Sequence, residues 1–358
     1  NLNFFGIGGE LMIKNGLNSL EDMEDLAVIG FTAALFKYRK LKGIAKKLVQ
    51  KVGELNCKYI ILVDYPGFNL ALAKMLREKY KDIKVIFYVS PQIWAWRYKR
   101  IFKIKKLVDL MLLLFPFEKE IYDKHEIPNV VVGHPLVNQI KEKFESGKEI
   151  TFPEGTDEII CLMPGSRSGE IRRLFIPLLD SAVILFNEYK KKNKNIIFLV
   201  PGISSKEESY ILDNINLYKT NNPGLHISYE FQNSAKCIEK SKLVLLASGT
   251  ATLEVAYFKK PMVIIYKGNP MSFYLGMKLL DIPYVGLVNI LSRKFICKEL
   301  LQKDCTPEKI TDEALLLLND NNYYNEMVEN LSTVKDGLGK GDSSILAAEA
   351  ILKLISFG

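Results

Sequence analysis

Three short stretches place chemically useful residues where an apolar run gives way to a helical pattern. In "CLMPGSRSGEIRR" the run ends at Pro164, Gly165, Ser166 and Arg167 follow, and a helix is expected from near Glu170. Glycine lets the backbone approach a ligand closely, N–H groups at a helix start attract phosphate, and arginine adds a planar, charge-assisted contact to a diphosphate. An ordinary βα turn with a surface arginine has the same residues, so spacing alone leaves both readings open. In "LLASGTATLE" the run stops at Ala247, and Ser248, Gly249 and Thr250 lead into a helix. Ser and Thr are good helix N-caps, which is a sufficient structural reason for them, while the same geometry makes a second anion nest. Glu254, one helical turn further, stands where a carboxylate accepts hydrogen bonds from a ribose diol. Two nests in one half suit a nucleotide diphosphate better than a single phosphate. Neither stretch is a Walker A or G-x-G-x-x-G signature, which argues against an NTPase or a dehydrogenase.

The third stretch is "ILVDYPGFNLALA", where Asp64 closes a strand and Pro66-Gly67 are expected to turn the chain. A carboxylate at a strand end beside a cleft serves as a general base. Strand-end aspartates also cap the next helix or pair with a cation, and this stretch does not choose between those roles.

These residues need an architecture that brings strand ends together. "YIILVDY", "KVIFYVS", "LMLLLFP" and "NVVVGHP" read as buried strands separated by helical patterns such as "LALAKMLREKY". Strands buried on both faces and joined by helices indicate parallel βαβ units. After His134 the chain turns polar, with Gly and Pro, through "VNQIKEKFESGKEITFPEGTDE", and a second series follows in "EIICLMPGSR", "NIIFLVPG", "LHISYE", "KLVLLASGT" and "PMVIIYK". The expected fold is therefore α/β with two Rossmann-like halves, the ligand lying beyond the carboxyl ends of the strands. The last helical stretch, from Ser343, is expected to pack back on the first half.

The 358 residues suit about two domains at roughly 150 residues each, and 48% apolar residues supply ample core. A net charge of +8 favours an anionic partner. Five dispersed cysteines read as reduced thiols, and three histidines without clustered Cys make a dedicated metal site unexpected. No apolar run approaches the roughly 18 residues of a membrane span.

Two stretches are strongly basic. "KYRKLKGIAKKLVQK" has seven Lys/Arg and no acid, with Leu41, Ile44, Ala45, Leu48 and Val52 on one helical face, and the apolar "LAVIGFTAALF" precedes it. "YVSPQIWAWRYKRIFKIKK" sets both tryptophans, Trp94 and Trp96, beside a segment in which six of the ten residues from Arg97 to Lys106 are Lys or Arg. Cations beside aromatic groups fit an interfacial helix at an anionic membrane, a solvated face over a core seam, or RNA binding.

Taken in order, "FGIGGELM", "MEDLAVIGF", "DYPGFNL", "YVSPQIWAWRYKRIFKI", "FPFEKEIYDK", "GHPL", "MPGSRSGEI", "ASGTATLEVA", "PMVIIYK", "YVGLVNIL" and "KELLQKDCTPEKI" span nearly the whole chain. In these segments the chain resembles the lipid-A-disaccharide synthase family. The resemblance implies a GT-B fold, two Rossmann-like parallel-sheet domains facing across a cleft. Residues 1–137 are then an acceptor and membrane-facing domain, 138–335 a UDP-sugar donor domain, and 336–358 a C-terminal helix returning to the first. It implies inverting transfer from UDP-2,3-diacylglucosamine to 2,3-diacylglucosamine 1-phosphate, giving the β-1,6 disaccharide 1-phosphate and UDP, with no metal and no cofactor. Asp64 matches the proposed catalytic aspartate and Arg167 the essential arginine. Gly165, Ser166, Ser248, Gly249, Thr250, Thr252, Glu254 and Asn289 match the donor-binding side. Acylated substrates imply work at a bilayer, so Trp94, Trp96, Arg97, Lys99, Arg100 and Lys103 are expected to face the membrane and the acyl chains. The implied location is peripheral, on the cytoplasmic face of the inner membrane of a Gram-negative cell, with an anionic lipid surface as partner, no nucleic acid, and the oligomeric state open.

The departures from the family pattern are local. The family begins with a strand and a Gly-rich G-E-x-S-G-D loop ahead of the "FGIGG" strand. This chain opens directly on "NLNFFGIGG", without Met, so the start of the natural protein is expected to be missing. Some members carry a second Asp where this chain has Gly67, which puts the weight on Asp64. The competing readings are another GT-B UDP-sugar enzyme (a lipid-linked N-acetylglucosamine transferase or an epimerase) and a non-catalytic membrane- or RNA-binding module.

Overall fold

The structure is a computed structural model that describes residues 2–20, 34–202, 205–271, 273, 277, 283–339 and 341–357. Most of the apolar stretch before the first basic helix, residues 26–33, lies outside the described residues.

In the first half, β1 (Phe4–Gly6) and β2 (Leu17–Ser19) form a parallel pair around the short α1 (Glu10–Lys14). The main sheet then runs in chain order: β3 (Tyr59–Val63), β4 (Lys84–Tyr88), β5 (Leu110–Leu113) and β6 (Asn129–Val131), all parallel. Helix α2 (Ala34–Glu54) precedes β3, and α3 (Pro66–Lys79), α4 (Ile101–Leu107) and α5 (Glu118–Lys124) lie between the strands. Alternation along the strands splits their side chains between two faces. Val85, Phe87, Met111 and Leu113 meet Ile44, Ala45 and Val49 of α2 and Leu72 and Leu76 of α3 in one core cluster. Leu41, Leu48 and Val52 pack at its margin. The apolar face of the first basic helix is thus a core seam.

In the second half the helices are α6 (Leu136–Ser146), which links the halves, then α7 (Ser168–Lys191), α8 (Glu208–Asn221), α9 (Ser234–Lys240), α10 (Ala251–Tyr257) and α11 (Leu287–Ser292). They are followed by α12 (Pro307–Asn319), α13 (Asn321–Asp336) and α14 (Ser343–Phe357). The strands are β7 (Thr156–Met163), β8 (Asn195–Gly202), β9 (His226–Phe231), β10 (Leu243–Ala247), β11 (Met262–Tyr266) and β12 (Glu299–Leu301). They form one parallel sheet in the order β12-β11-β10-β7-β8-β9. The chain builds outward from β7 to β9, then returns to the other side of β7 with β10. The connections from β7 and β10 lead to opposite sides of the sheet, to β8 and to β11, so a crevice opens between them, the usual ligand position of an open parallel sheet.

The other face of the first sheet, with Ile86, Leu110 and Leu112, joins the core cluster of the second half. On that cluster lie Ala347, Ala350, Ile351 and Leu354 of α14, and the Tyr59 hydroxyl donates to the Ile355 carbonyl at 3.3 Å. The chain passes between the halves twice, at residues 133–135 and 337–339, and the His134 amide donates to the Leu338 carbonyl at 2.9 Å. Here two glycines touch. Gly133 and Gly339 both have left-handed φ, and a Cβ on Gly339 would sit 3.0 Å from the Gly133 Cα. Any side chain at Gly339 would push the crossovers apart.

Candidate active site

The site is assembled from strand ends on both sheets. Beside the β7–β10 crevice, Gly165 has φ +114, and a Cβ there would meet Glu170 Oε2 at 2.8 Å and the Ala247 Cβ at 3.5 Å. The close approach to Ala247 means the two nests foreseen from sequence are neighbours. The helix begins at Ser168, two residues before the expected Glu170, because Arg167 already takes the extended conformation of an N-cap. The Arg167 side chain is 84% exposed and donates to Glu170 Oε1 at 3.2 Å, while Glu170 Oε2 accepts the Ser166 amide at 3.4 Å. Glu170 is the third helical residue, the place from which an acid reaches back over a helix start. A carboxylate therefore lies in the first nest. Sequence reasoning passed over Glu170, although an acid three residues after a cap was the available signal.

In the second nest the Ser248 hydroxyl donates to the Val285 carbonyl at 3.2 Å, and Thr252, fully buried, donates to the Gly249 carbonyl at 2.8 Å. Thr250 is the N-cap but makes no side-chain cap bond, so capping does not account for these hydroxyls. Glu254 receives Lys143 Nζ of α6 at 3.2 Å. Asn289 is fully buried and consumes its whole hydrogen-bonding capacity internally. Its amide donates to the Cys297 carbonyl and Glu299 Oε1, both at 2.7 Å, and its oxygen accepts the Ile296 and Cys297 amides, both at 2.9 Å. Glu299 in turn accepts the Val285 and Gly286 amides at 2.9 Å each. Asn289 thereby braces the loop that holds Ser248, and its side chain has no atom left for a direct donor contact.

On the facing sheet, Asp64 follows the last residue of β3. Pro66-Gly67 do not make the turn expected of them, because Pro66 opens α3. The turn is made by Asp64 and Tyr65, whose φ values are 47 and 42. Left-handed geometry is costly for residues with a Cβ and clusters at working sites. Asn69 holds it by donating to the Val63 and Asp64 carbonyls at 3.0 and 2.7 Å. The Asp64 carboxylate is exposed and, among the described residues, accepts no hydrogen bond and no ion pair. It does not cap α3.

Next to it the β4 end is also strained, with Val89 at φ 71, and leads into the tryptophan segment. Trp94 turns inward: its indole N–H donates to Glu118 Oε1 at 3.1 Å, and its ring meets Phe117 edge-on at 5.2 Å. Glu118 is 1% exposed, also accepts the Phe115 amide at 3.1 Å, and burial pushes its carboxyl above the usual carboxylate range. Beside it, Ser90 and Tyr122 hydroxyls bond at 2.8 Å. Glu118 therefore ties the ends of β4 and β5 together, a role that pattern reading missed because the residue sits in a polar-looking helix start. Trp96 is stacked instead against the guanidinium groups of Arg97 and Arg100, at 4.1 and 4.8 Å from the ring. Arg97, Lys99 and Lys103 are exposed, as is Phe102. His134 packs against Phe115 at 5.5 Å, its Nδ1 accepts the Leu136 amide at 3.1 Å, and burial lowers its basicity. Between the halves, Phe115 and Phe117 face Leu291, Lys294, Asn330 and Val334 across a cavity of about 170 Å³.

The arrangement sets an unpartnered carboxylate on one sheet and two adjoining N–H nests with an exposed guanidinium on the other. That can deprotonate a hydroxyl and stabilise a departing diphosphate.

Comparison with known proteins is consistent with this chemistry. The family model described as lipid-A-disaccharide synthetase matches residues 1–351. The lipid-A-disaccharide synthase of Acinetobacter baylyi is 37% identical over 339 residues, covering 93% of this chain and 85% of its own. That of Persephonella marina is 36% identical over 355 residues, covering 98% and 91%. Among solved structures, UDP-GlcNAc 2-epimerase from Neisseria meningitidis bound to UDP-GlcNAc superposes with a TM-score of 0.52 at 12% identity, covering 98% of this chain and 100% of that one. A trehalose-6-phosphate chain from E. coli bound with UDP-2-fluoro glucose gives 0.53 at 11%, covering 99% of each. These two likenesses bear on the fold alone, which is GT-B.

Proposed function

The chain belongs to the lipid-A-disaccharide synthetase family, and from that premise we propose the following division of labour among its residues. The protein is a glycosyltransferase that forms the lipid A disaccharide. UDP-2,3-diacylglucosamine is the donor and 2,3-diacylglucosamine 1-phosphate the acceptor. Asp64 takes the proton from the acceptor 6-hydroxyl as its oxygen attacks the anomeric carbon. The bond from that carbon to the UDP oxygen breaks on the opposite face, so the configuration inverts. Arg167 and the N–H groups around Gly165–Ser166 and Gly249–Thr250 take up the charge that grows on the leaving diphosphate, the Ser248 amide being held by the Ile265 carbonyl at 2.9 Å. Glu170 must release Arg167 for this, exchanging an exposed ion pair of small worth for a diphosphate. Glu254, freed from Lys143, is the ribose partner, while Asn289 acts through the loop it braces.

The observation that carries this reading is the pairing of an exposed, unpartnered Asp64 carboxylate at a strained strand end of one sheet with two adjoining nests at strand ends of the other. The test is to supply both acylated sugars and look for the disaccharide 1-phosphate and UDP by mass spectrometry. Free sugar released from the donor without acceptor, and no disaccharide, would overturn it.

The substrates place the reaction at a bilayer, and the Trp96–Arg97–Arg100 stack with Phe102, Lys99 and Lys103 is the surface suited to the anionic cytoplasmic face of the inner membrane. No helix among the described residues is long and apolar enough to cross a membrane. Binding there is peripheral, with each surface cation worth about 1 kcal/mol on an anionic leaflet. Co-sedimentation with vesicles that is indifferent to anionic lipid and to salt would refute the electrostatic part.

A further inference from the structure

A second basic site lies at the far end of α10 from Ser248–Thr250, roughly 10 Å along the helix at 1.5 Å per residue. A cavity of about 300 Å³ is lined there by Lys141, Phe144, Tyr257, Phe258, Lys259 and Lys335. Lys141 and Phe144 come from α6, the link between the halves, and Lys335 comes from the end of α13, just before the chain crosses back.

Three neighbouring lysines have acids. Lys143 pairs with Glu254, and Lys236 and Lys240 share Glu149. The three lysines of the cavity do not: among the described residues none makes an ion pair or a hydrogen bond to a carboxylate. Lys335 lies 4.4 Å over the Tyr257 ring, an aromatic contact in place of an ionic one. Burial first, and Lys259 second, lower the Lys335 basicity, with the adjacent Asp336 acting weakly the other way. Helix dipoles favour a cation at each helix end, which explains Lys259 and Lys335 singly. They do not explain why these two converge with Lys141, from the middle of a third helix, on one aromatic-walled cavity.

We propose that Lys141, Lys259 and Lys335 form an anion site for a phosphate-bearing ligand, separate from the donor crevice and bridging the two segments that join the halves. The three ammonium groups neutralise the phosphate, and the half-buried rings of Phe144, Tyr257 and Phe258 line the open cavity around it. Phosphate free in solution and phosphate in a lipid headgroup share this chemistry.

The test uses the full chain with the donor crevice saturated by UDP, so that added anion cannot act there. Inorganic pyrophosphate is added in one arm and phosphatidylglycerol vesicles in the other, each against sodium chloride of equal ionic strength. A rise in Tm of roughly 2–4 °C is expected in the arm that holds the natural source. K259Q/K335Q should abolish the rise in the pyrophosphate arm and lower it in the vesicle arm to what the Trp96–Arg97–Arg100 surface alone gives, while leaving UDP affinity and turnover unchanged, and K141Q should weaken it. No rise in either arm, or the same rise in the double variant, overturns the proposal.

Discussion

Replacing Asp64 by asparagine separates chemistry from folding unusually well in this structure. The carboxylate is exposed and makes no hydrogen bond or ion pair among the described residues, so its loss removes no contact. Exposed substitutions of that kind stay within about 0.5 kcal/mol. At roughly 2–4 °C per kcal/mol, Tm should move by no more than about 2 °C. The backbone favours the change as well, since φ is 47 at this position and asparagine tolerates left-handed geometry better than most residues. Asp64→Ala is the control for that point, and should cost roughly 1–2 kcal/mol more because a plain Cβ is disfavoured there. Turnover behaves differently. An amide cannot take up the acceptor proton, and loss of a general base lowers turnover by about 10²–10⁴, or roughly 3–5 kcal/mol of barrier. The assay is disaccharide formation per folded molecule, with melting temperature and UDP binding measured on the same samples. Unchanged turnover at unchanged Tm would remove Asp64 from the mechanism. A loss of turnover in proportion to a loss of folded protein would make it a structural residue.

Arg167→Ala should lower turnover by about 10² or more at unchanged Tm, since only an exposed pair with Glu170 is lost; steady-state kinetics with near-normal turnover would contradict its role. Asn289→Ala should destabilise by roughly 2–5 kcal/mol in urea titration, because the Ile296 and Cys297 amides are left without an acceptor. UDP affinity lost at unchanged stability would instead mean that Asn289 touches the donor. His134 is held neutral by burial and by the Leu136 amide on Nδ1. Its folded pKa lies below the unfolded value of about 6.5, so the native state binds fewer protons just below that pH, and stability falls on acidification through the window. Urea midpoints from pH 5 to 8 should show a shallower acid-side loss in His134→Gln, and an identical slope would refute this.

Much of the architecture follows from local pattern. Runs such as Leu110–Leu113 and Leu243–Ala247 are buried on both faces, and only a parallel sheet between helices satisfies them, so two α/β halves and their strand ends were readable residue by residue. The candidate residues Asp64, Gly165, Arg167 and Ser248 were readable for the same reason, since each stands where an apolar run stops. What remained was decided by partners distant in the chain. Strand order, which puts β10 beside β7 and makes the two nests neighbours, is a choice among pairings that periodicity does not rank. Asn289 looks like any polar residue until the Cys297 and Glu299 segment folds over it, and Glu118 looks like an exposed helix-start acid until Trp94 and Phe115 claim its oxygens. The turn at Asp64–Tyr65 was hidden because Pro66-Gly67 offered a more familiar one, and the left-handed pair is held by contacts that local pattern does not show: Asn69 reaching back from α3 and the Tyr88 carbonyl accepting the Asp64 amide. Lys141, Lys259 and Lys335 become one cavity only where three helices meet. Local sequence sets what each segment prefers to be, whereas burial, satisfied polar atoms and charge convergence are properties of contacts that only the folded chain makes.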